Sequence, residues 1–444
     1  MKTMRAGTIA VVVLFLATAS QAVAQSPATD SGTALGGGPG TTDTEGQPSC
    51  RRGDRGRLIR YRRVASHPTP ASTRAYFDEW IAFYQDLYRF PPDIPVRFKY
   101  GFDSYKVTYC TVDAVLPGQS TARPTIVTGM VSVPRASGRL STVAYVRGTA
   151  ASYYDAPSNP NTFGELEPRG ESFEGPPASA VFAGAGFIHI APDYLGFGDS
   201  SVPRHRYFHA ATETSSAVDL LAASRPVLAR LHVKQNKDLF IFGFSQGGHT
   251  ALALQRELEN AHVDVTGNAT VGGVFDVEQW FLASLANETT VTVPLYISYL
   301  LLAYDDIYDV YGQASDVFQE PYASTVSELF DMQHFWDDIL AGLPATSRAL
   351  LTPSFYAEVI ANRQHPMRVR LRQNAVDRSR LDAPVRVYHS PLDEEVPYAD
   401  ALVSIDRLRR RGADVTLRTL PPLDHVNSWI QAMPRAVTWF RTLD

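Results

Sequence analysis

Residues 241–249, IFGFSQGGH, set a serine, Ser245, between Gly243 and Gly247. A serine hydroxyl is a weak nucleophile near neutral pH, so attack on a carbonyl needs a base to take its proton and a third group to orient that base. A Gly-x-Ser-x-Gly pattern also arises by chance, and its context decides what it means. The apolar run LFIF precedes it, and QGGHTALALQRELEN follows with Ala251, Leu254 and Leu258 on one helical face. That order predicts a buried strand, a sharp turn and a helix. Only small residues fit where such a helix passes close to neighbouring strands, which Gly243 and Gly247 satisfy. The turn would strain the serine backbone and hold Ser245 Oγ above the sheet edge.

A nucleophile mounted this way expects its acid and then its base later in the chain, each just after a strand. Asp393 in VYHSPLDEEVP and His425 in LRTLPPLDHVNSW occupy those positions, so Ser245, Asp393 and His425 form the candidate catalytic set. Glu394 and Glu395 share the loop of Asp393 and are the alternatives for the acid. Asp424 adjoins His425 and would point away from its ring; His249 is expected to serve helix packing, and His389, inside a strand, to lie in the core. Attack also creates an oxyanion, which preorganised amides stabilise. The expected donors are the NH of Gln246 and the NH of Thr149, in the RGTA that follows the strand-like VAYV, with Gly148 allowing close backbone approach.

The elements that must hold these groups are legible as short apolar runs alternating with helical stretches. STVAYVRG, GFIHIAPDY, DLFIFGFS, ATVGGVFDV, PVRVYHS and DVTLRTLP are the runs, and helices are expected over 209–231, 246–260, 397–411 and 425–442. Continuous apolar strands separated by helices imply a mostly parallel sheet covered on both faces. Before them, SYKVTYCTVDA and TIVTGMVSVP read as a hairpin arm turning through LPGQSTARP. TRAYFDEWIAFYQDLYRF reads as a helix with Phe77, Ile81, Tyr84 and Leu87 on its apolar face, stopped by Pro91 and Pro92. CRRGDRGRLIRYRR, with seven Arg against one Asp, reads as a solvated, partly ion-paired face. Roughly 105 residues of helical character then separate VFDV from APVRVYHS, too many for a loop, and are expected to form a helical cap at 278–382 over the site.

Met1–Ala24 has the basic start, short apolar run and small-residue end of a secretory signal peptide, and that run falls short of the ~20 residues a membrane span needs. Residues 25–49 lack apolar groups to bury and are expected to be a flexible linker to a catalytic domain over 50–444. The chain of 444 residues carries net charge −5, and loss of Lys2 and Arg5 with the leader gives 39 basic against 46 acidic groups, or −7. An acidic chain is not expected to bind nucleic acid. The two cysteines, Cys50 and Cys110, are too few for a cysteine zinc site and are expected to pair as a disulfide in an exported protein. NAT at Asn268 and NET at Asn287 fit glycosylation sequons.

Taken together, YVRGTA, APDYLGFGDS, HRYFHAATE, GFSQGGHTAL, SPLDEEVP and DHVNSW resemble the secretory lipase family of α/β-hydrolases, the fungal lipase A type and its bacterial relatives, over roughly residues 56–444. The resemblance implies an α/β-hydrolase fold with an inserted helical cap and no cofactor or metal. It implies a carboxylic ester hydrolase, esterase or lipase, and matches the family's nucleophile, acid and base at Ser245, Asp393 and His425. The chain departs from the family's His-Gly-Thr at Arg147-Gly148-Thr149 and from its His-Pro-Tyr at His205-Arg206-Tyr207. Arg147 is therefore expected either as a cation at the site mouth or in a surface salt bridge. The expected partner is a small-molecule or lipid ester, met outside the cytoplasm or in the periplasm, without stable insertion into a membrane. An exported serine peptidase for short peptides or aminoacyl amides is the alternative, with YDDIYD (Asp305, Asp306, Asp309) as an acidic cluster for a free amino terminus.

Overall fold

A computed structural model describes residues 48–91, 94–159 and 173–444. The expected leader, the expected linker up to residue 47 and Pro92 of the expected helix stop lie outside the described residues.

In chain order the elements are β1 (Leu58–His67), α1 (Pro70–Tyr88), β2 (Phe102–Val112), β3 (Pro124–Pro134), β4 (Arg139–Val146), α2 (Gly175–Ala185), β5 (Ile188–Pro192), α3 (Ala210–Arg230), β6 (Lys234–Phe244), α4 (Gln246–Asn260) and β7 (Gly267–Val271). Eight helices follow before the next strand: α5 (Val277–Ala286), α6 (Val293–Tyr308), α7 (Ala314–Val317), α8 (Tyr322–Leu329), α9 (Trp336–Ala341), α10 (Ser347–Leu350), α11 (Pro353–Ala361) and α12 (Pro366–Asn374). The chain closes with β8 (Val385–His389), α13 (Tyr398–Arg410), β9 (Val415–Thr419) and α14 (His425–Phe440).

One nine-stranded sheet has the order β1-β2-β3-β5-β4-β6-β7-β8-β9. The arm β1-β2-β3 and the pairing of β3 with β5 are antiparallel. Every pairing from β5 through β4 to β9 is parallel. Parallel strands are buried on both sides, which explains why Phe240, Ile241 and Phe242 of β6 are all sealed from solvent. One face packs against α1, α2 and α14 through Trp80, Phe182, Trp429 and Met433. On the other face, Leu254 of α4 joins a cluster that continues into α5 and α6 through Phe281, Leu300 and Tyr304.

Three local features differ from expectation. LIRYRR is not merely a solvated face: it is edge strand β1, antiparallel to β2, with Arg60, Arg62 and Arg63 exposed. Charge on an edge strand discourages pairing with other chains. In α1 the buried line is Thr73, Phe77 and Trp80, while Leu87 is 69% exposed. Arg89 in the left-handed region (φ 50°) caps that helix ahead of Pro91. Helix α2, rich in Gly, Ala and Pro, was not anticipated; small residues let it lie fully buried.

Cys50 and Cys110 form a disulfide with Cα atoms 5.7 Å apart, fastening the start of the described chain to β2. Asn268 is buried in β7, where its side chain donates to Ala251 O and Gln255 Oε1, so its sequon is closed to modification in the folded chain. No helix among the described residues is long and apolar enough to cross a membrane.

Candidate active site

Strand β6 ends at Phe244 and helix α4 begins at Gln246, leaving Ser245 alone in the turn at φ 55°, ψ −118°. Residues other than glycine rarely hold such a conformation, and it costs on the order of 1–3 kcal/mol. The surroundings leave the turn no alternative. A Cβ on Gly243 would lie 2.1 Å from Gly247 O, and one on Gly247 would lie 1.9 Å from Val146 O, so strand and helix meet backbone to backbone. The Ser245 amide donates to Val271 O at the end of β7, 3.0 Å away.

Asp393 follows β8, and His425 opens α14 after β9. His425 Nδ1 lies 2.8 Å from Asp393 Oδ2 and 2.9 Å from Oδ1. Asp393 Oδ1 also accepts the amides of Glu395 and Val396, which fixes the carboxylate. Burial works against a charged His425 ring, but the Asp393 carboxylate, then Glu395 and Glu394, outweigh it and push the ring up to about 9. Burial would likewise raise Asp393, yet the His425 ring holds it below the usual carboxylate range. Nε2 of His425 is buried and has no hydrogen-bond partner among the described residues.

Gly272 joins the two halves of the site. It follows Val271, which receives the Ser245 amide, and a Cβ there would lie 2.8 Å from His425 Cε1 and 3.0 Å from Asp393 Oδ2. At φ 54° the position also suits glycine on backbone grounds. The Phe244 ring, beside Ser245, is 4.7 Å from the His425 ring. Ser245, Asp393 and His425 thus follow β6, β8 and β9 near the end of β7, with no hydrogen bond joining Ser245 to the His425 ring among the described residues.

The other carboxylates separate by role. Glu394 Oε2 accepts the His425 backbone amide rather than the ring, and Asp424 caps α14 by accepting the Asn427 amide at 2.7 Å. Glu395 Oε2 lies 3.9 Å from His425 Nε2. His389 is buried in β8 as expected, but its Nε2 is 3.4 Å from Asp393 Oδ2, directly behind the acid.

Of the two expected oxyanion donors, the Gln246 amide opens α4, and neither it nor the Thr149 amide has a hydrogen-bond partner among the described residues. Thr149 lines the cavity at Ser245, and its Oγ1 is 2.8 Å from Tyr207 OH. Gly148 turns away: its amide donates to both oxygens of Glu174, at 2.9 and 3.1 Å, and Tyr145 OH donates to the same carboxylate. Burial pushes Glu174 up to about 7, against the pull of the Arg147 guanidinium. Arg147 itself is neither at the mouth nor in a surface salt bridge. It is 1% exposed, bonded to Asp155 and stacked over Phe197.

Below the turn, Glu213 of α3 accepts Gln246 Nε2, Thr250 Oγ1 and His249 Nδ1 at 2.6 to 2.9 Å. His249 Nε2 lies 2.7 Å from Asn374 O, so the ring is held on both sides. The packing role expected of His249 is thus to anchor the first turn of α4 to Glu213 and Asn374. Gln246 Nε2 also donates to His205, whose ring burial lowers to about 4, leaving it a neutral acceptor. In the YDDIYD cluster, Asp306 is taken by Arg204 and Arg206 and Asp305 accepts the Tyr311 amide, while Asp309 is exposed.

The cavity at Ser245 is lined by Thr149, Tyr207, Phe208, Val274, Trp280, Tyr296, Glu395 and Val396, and leaves about 10 Å³ for a water-sized sphere. Trp280 and Tyr296 come from α5 and α6, so the segment between β7 and β8 roofs the serine.

No protein-family model matches the sequence, and no curated protein matches it. Solved structures do. A variant of the rice cell wall degrading esterase LipA from Xanthomonas oryzae aligns with TM-score 0.73 and 25% identity, covering 88% of this chain and 98% of that one. A Legionella pneumophila protein assigned as a hydrolase aligns with TM-score 0.76 and 23% identity over 87% and 98%. Candida antarctica lipase A in its closed state aligns with TM-score 0.63 and 15% identity over 88% and 82%. The chain therefore has the α/β-hydrolase fold, and the likeness to the Xanthomonas esterase supports the relationship that its motifs imply.

Proposed function

We propose that the chain is an exported serine carboxylic ester hydrolase. Ser245 Oγ attacks the ester carbonyl as its proton passes to His425 Nε2, and the carbonyl electron pair moves onto oxygen, facing the amides of Thr149 and Gln246. The oxyanion collapses, the alkoxide leaves with the proton from His425, and an acyl-Ser245 remains. Water, deprotonated by His425, then releases the acid. Asp393 orients the ring and stabilises its cation throughout.

The observation that carries this reading is the strained Ser245 backbone at one sheet edge with a His425 ring clasped by Asp393. Backbone strain of this kind clusters at functional sites. The likeness to an esterase and a lipase supports an ester over other acyl substrates. The leader-like Met1–Ala24 and the Cys50–Cys110 disulfide support export. No observation favours the peptidase alternative, and Asp306 of its acidic cluster is paired with Arg204 and Arg206.

The test is Ser245→Ala. Labelling by an organophosphonate and turnover of p-nitrophenyl acetate should both vanish while the melting temperature stays within a few degrees. Labelling that persists in the variant rejects Ser245 as the nucleophile.

A further inference from the structure

Asp393 binds the Nδ1 edge of His425, and a second carboxylate stands at the opposite edge. Glu395 Oε2 lies 3.9 Å from Nε2, and Glu395 shares the cavity wall with Ser245. Its position is built rather than incidental. Tyr296 OH of α6 donates to Oε2, Thr292 Oγ1 at the start of α6 donates to Oε1 at 3.3 Å, and the backbone is held at both ends, with NH donating to Asp393 Oδ1 and O accepting Trp280 Nε1. These contacts hold the carboxylate toward the His425 ring, although 18% of the side chain is exposed. The Nε2 edge it faces is buried and has no hydrogen-bond partner among the described residues.

We propose that Glu395 is a positioning residue for the His425 cation, set on the Nε2 edge opposite Asp393 so that the imidazolium formed during attack lies between two carboxylates. The proposal rests on the reading of Ser245, His425 and Asp393 as the reacting set. When the Ser245 Oγ–carbon bond forms, the hydroxyl proton moves to Nε2, and the ring gains the positive charge that Glu395 then faces. An opposite charge within about 4–6 Å favours the charged form of its partner. The cost is that the ring keeps its proton to higher pH, so the free base becomes available only in alkaline solution.

The groups facing the ring from each packed element agree in sign. Asp393, Glu394 and Glu395 approach from the segment after β8, and His389 of β8 stands behind Asp393, held neutral by burial. Asp424 precedes the ring on its own helix, Phe244 and Ser245 adjoin from the β6–α4 turn, and Tyr296 of α6 reaches it only through Glu395. The three strongest charges acting on the ring are all carboxylates.

The experiment is the pH profile of kcat/KM for p-nitrophenyl acetate in the wild type and Glu395→Gln, together with the His425 ring titration by NMR. Loss of the charge should move both the acid limb and the ring titration down by about one pH unit or more, and lower the alkaline plateau several-fold. Glu395→Asp, which keeps the charge, should retain most of the wild-type midpoint. If Glu395→Gln does not fold, Tyr296→Phe tests the same contact: with that tether lost, the carboxylate is no longer held at Nε2 and the midpoint falls. A ring titration that stays put in these variants overturns the proposal, even if activity falls, because that is the result of a purely structural role. Absence of ester turnover and of phosphonate labelling in the wild type would reject the reaction instead, leaving the NMR midpoints to judge Glu395 independently.

Discussion

Glu174 grips the Gly148 amide with both carboxylate oxygens and so sets the peptide that leads into Thr149. A Cβ on Gly148 would lie 2.8 Å from Glu174 Oε1 and 3.3 Å from Ser245 Cβ, so this buried carboxylate sits just behind the turn facing Ser245. With its amide held backward, Gly148 leaves the next amide, that of Thr149, free for the cavity.

Replacing Glu174 should therefore act on rate more than on binding. Glu174→Gln keeps one acceptor oxygen but cannot take the Gly148 amide and Tyr145 OH as the carboxylate does. A misaligned oxyanion donor costs up to about 10²–10³ in kcat, and a partial misalignment should cost about one to two orders of magnitude of that. Steady-state kinetics on a short ester would read a fallen kcat with KM within a few-fold of wild type. An unchanged kcat would mean that Thr149 does not depend on Glu174.

His425 also ties stability to pH. Its folded pKa, about 9, lies above the ordinary histidine value of 6.5. The folded chain thus holds a proton that the unfolded chain releases, so the contribution is complete below pH 6.5 and is lost as pH rises through about 9. Glu174, raised to about 7, adds its own change mainly at lower pH. Between pH 7 and 9 the melting temperature should fall by a few degrees, on the scale of about 2–4 °C per kcal/mol for large domains. His425→Gln should flatten that fall in thermal melts across the same window. A wild-type midpoint that climbs toward pH 9 would contradict the assignment.

The parts of this site written in the sequence are those set by local pattern. Ser245 is legible because a strand run, two tight glycines and a helix surround it, and Asp393 and His425 because each follows a strand in the order that the nucleophile demands. Glu174, Glu213, Tyr207 and Gly272 carry no such signal. Their partners are distant in the chain: Glu213 reaches His249 from another helix, and Gly272 matters only because His425 packs on it. Gly272 lies in ATVGGVFDV, which reads only as a strand-like run. Arg147 misled for the same reason, since a charged residue near a site reads as exposed until Asp155 and Phe197 are seen to bury it. Strand β1 hid behind its arginines, whose alternation is an edge-strand pattern only when β2 lies beside it.

The cavity over Ser245 limits what the folded chain can accept. About 200 Å³ of empty space lies over Ser245, most of it too narrow for a water, whereas ligand sites occupy roughly 300–1,000 Å³. Acyl groups must therefore displace the wall, and the bulkiest wall residue is Trp280 of α5, packed against Phe208 and Tyr296. Longer acyl chains demand more displacement, which favours small and medium esters. Across p-nitrophenyl esters from acetate to palmitate, kcat/KM should peak at short chains, and Trp280→Ala should raise the octanoate-to-acetate ratio by about tenfold, the worth of roughly 1.4 kcal/mol of relieved fit. The ratio within one variant cancels any change in the base that Trp280 causes through its bond to Glu395 O. A ratio unmoved by the substitution, or a wild type that prefers palmitate at an emulsion surface, would show that the wall opens elsewhere.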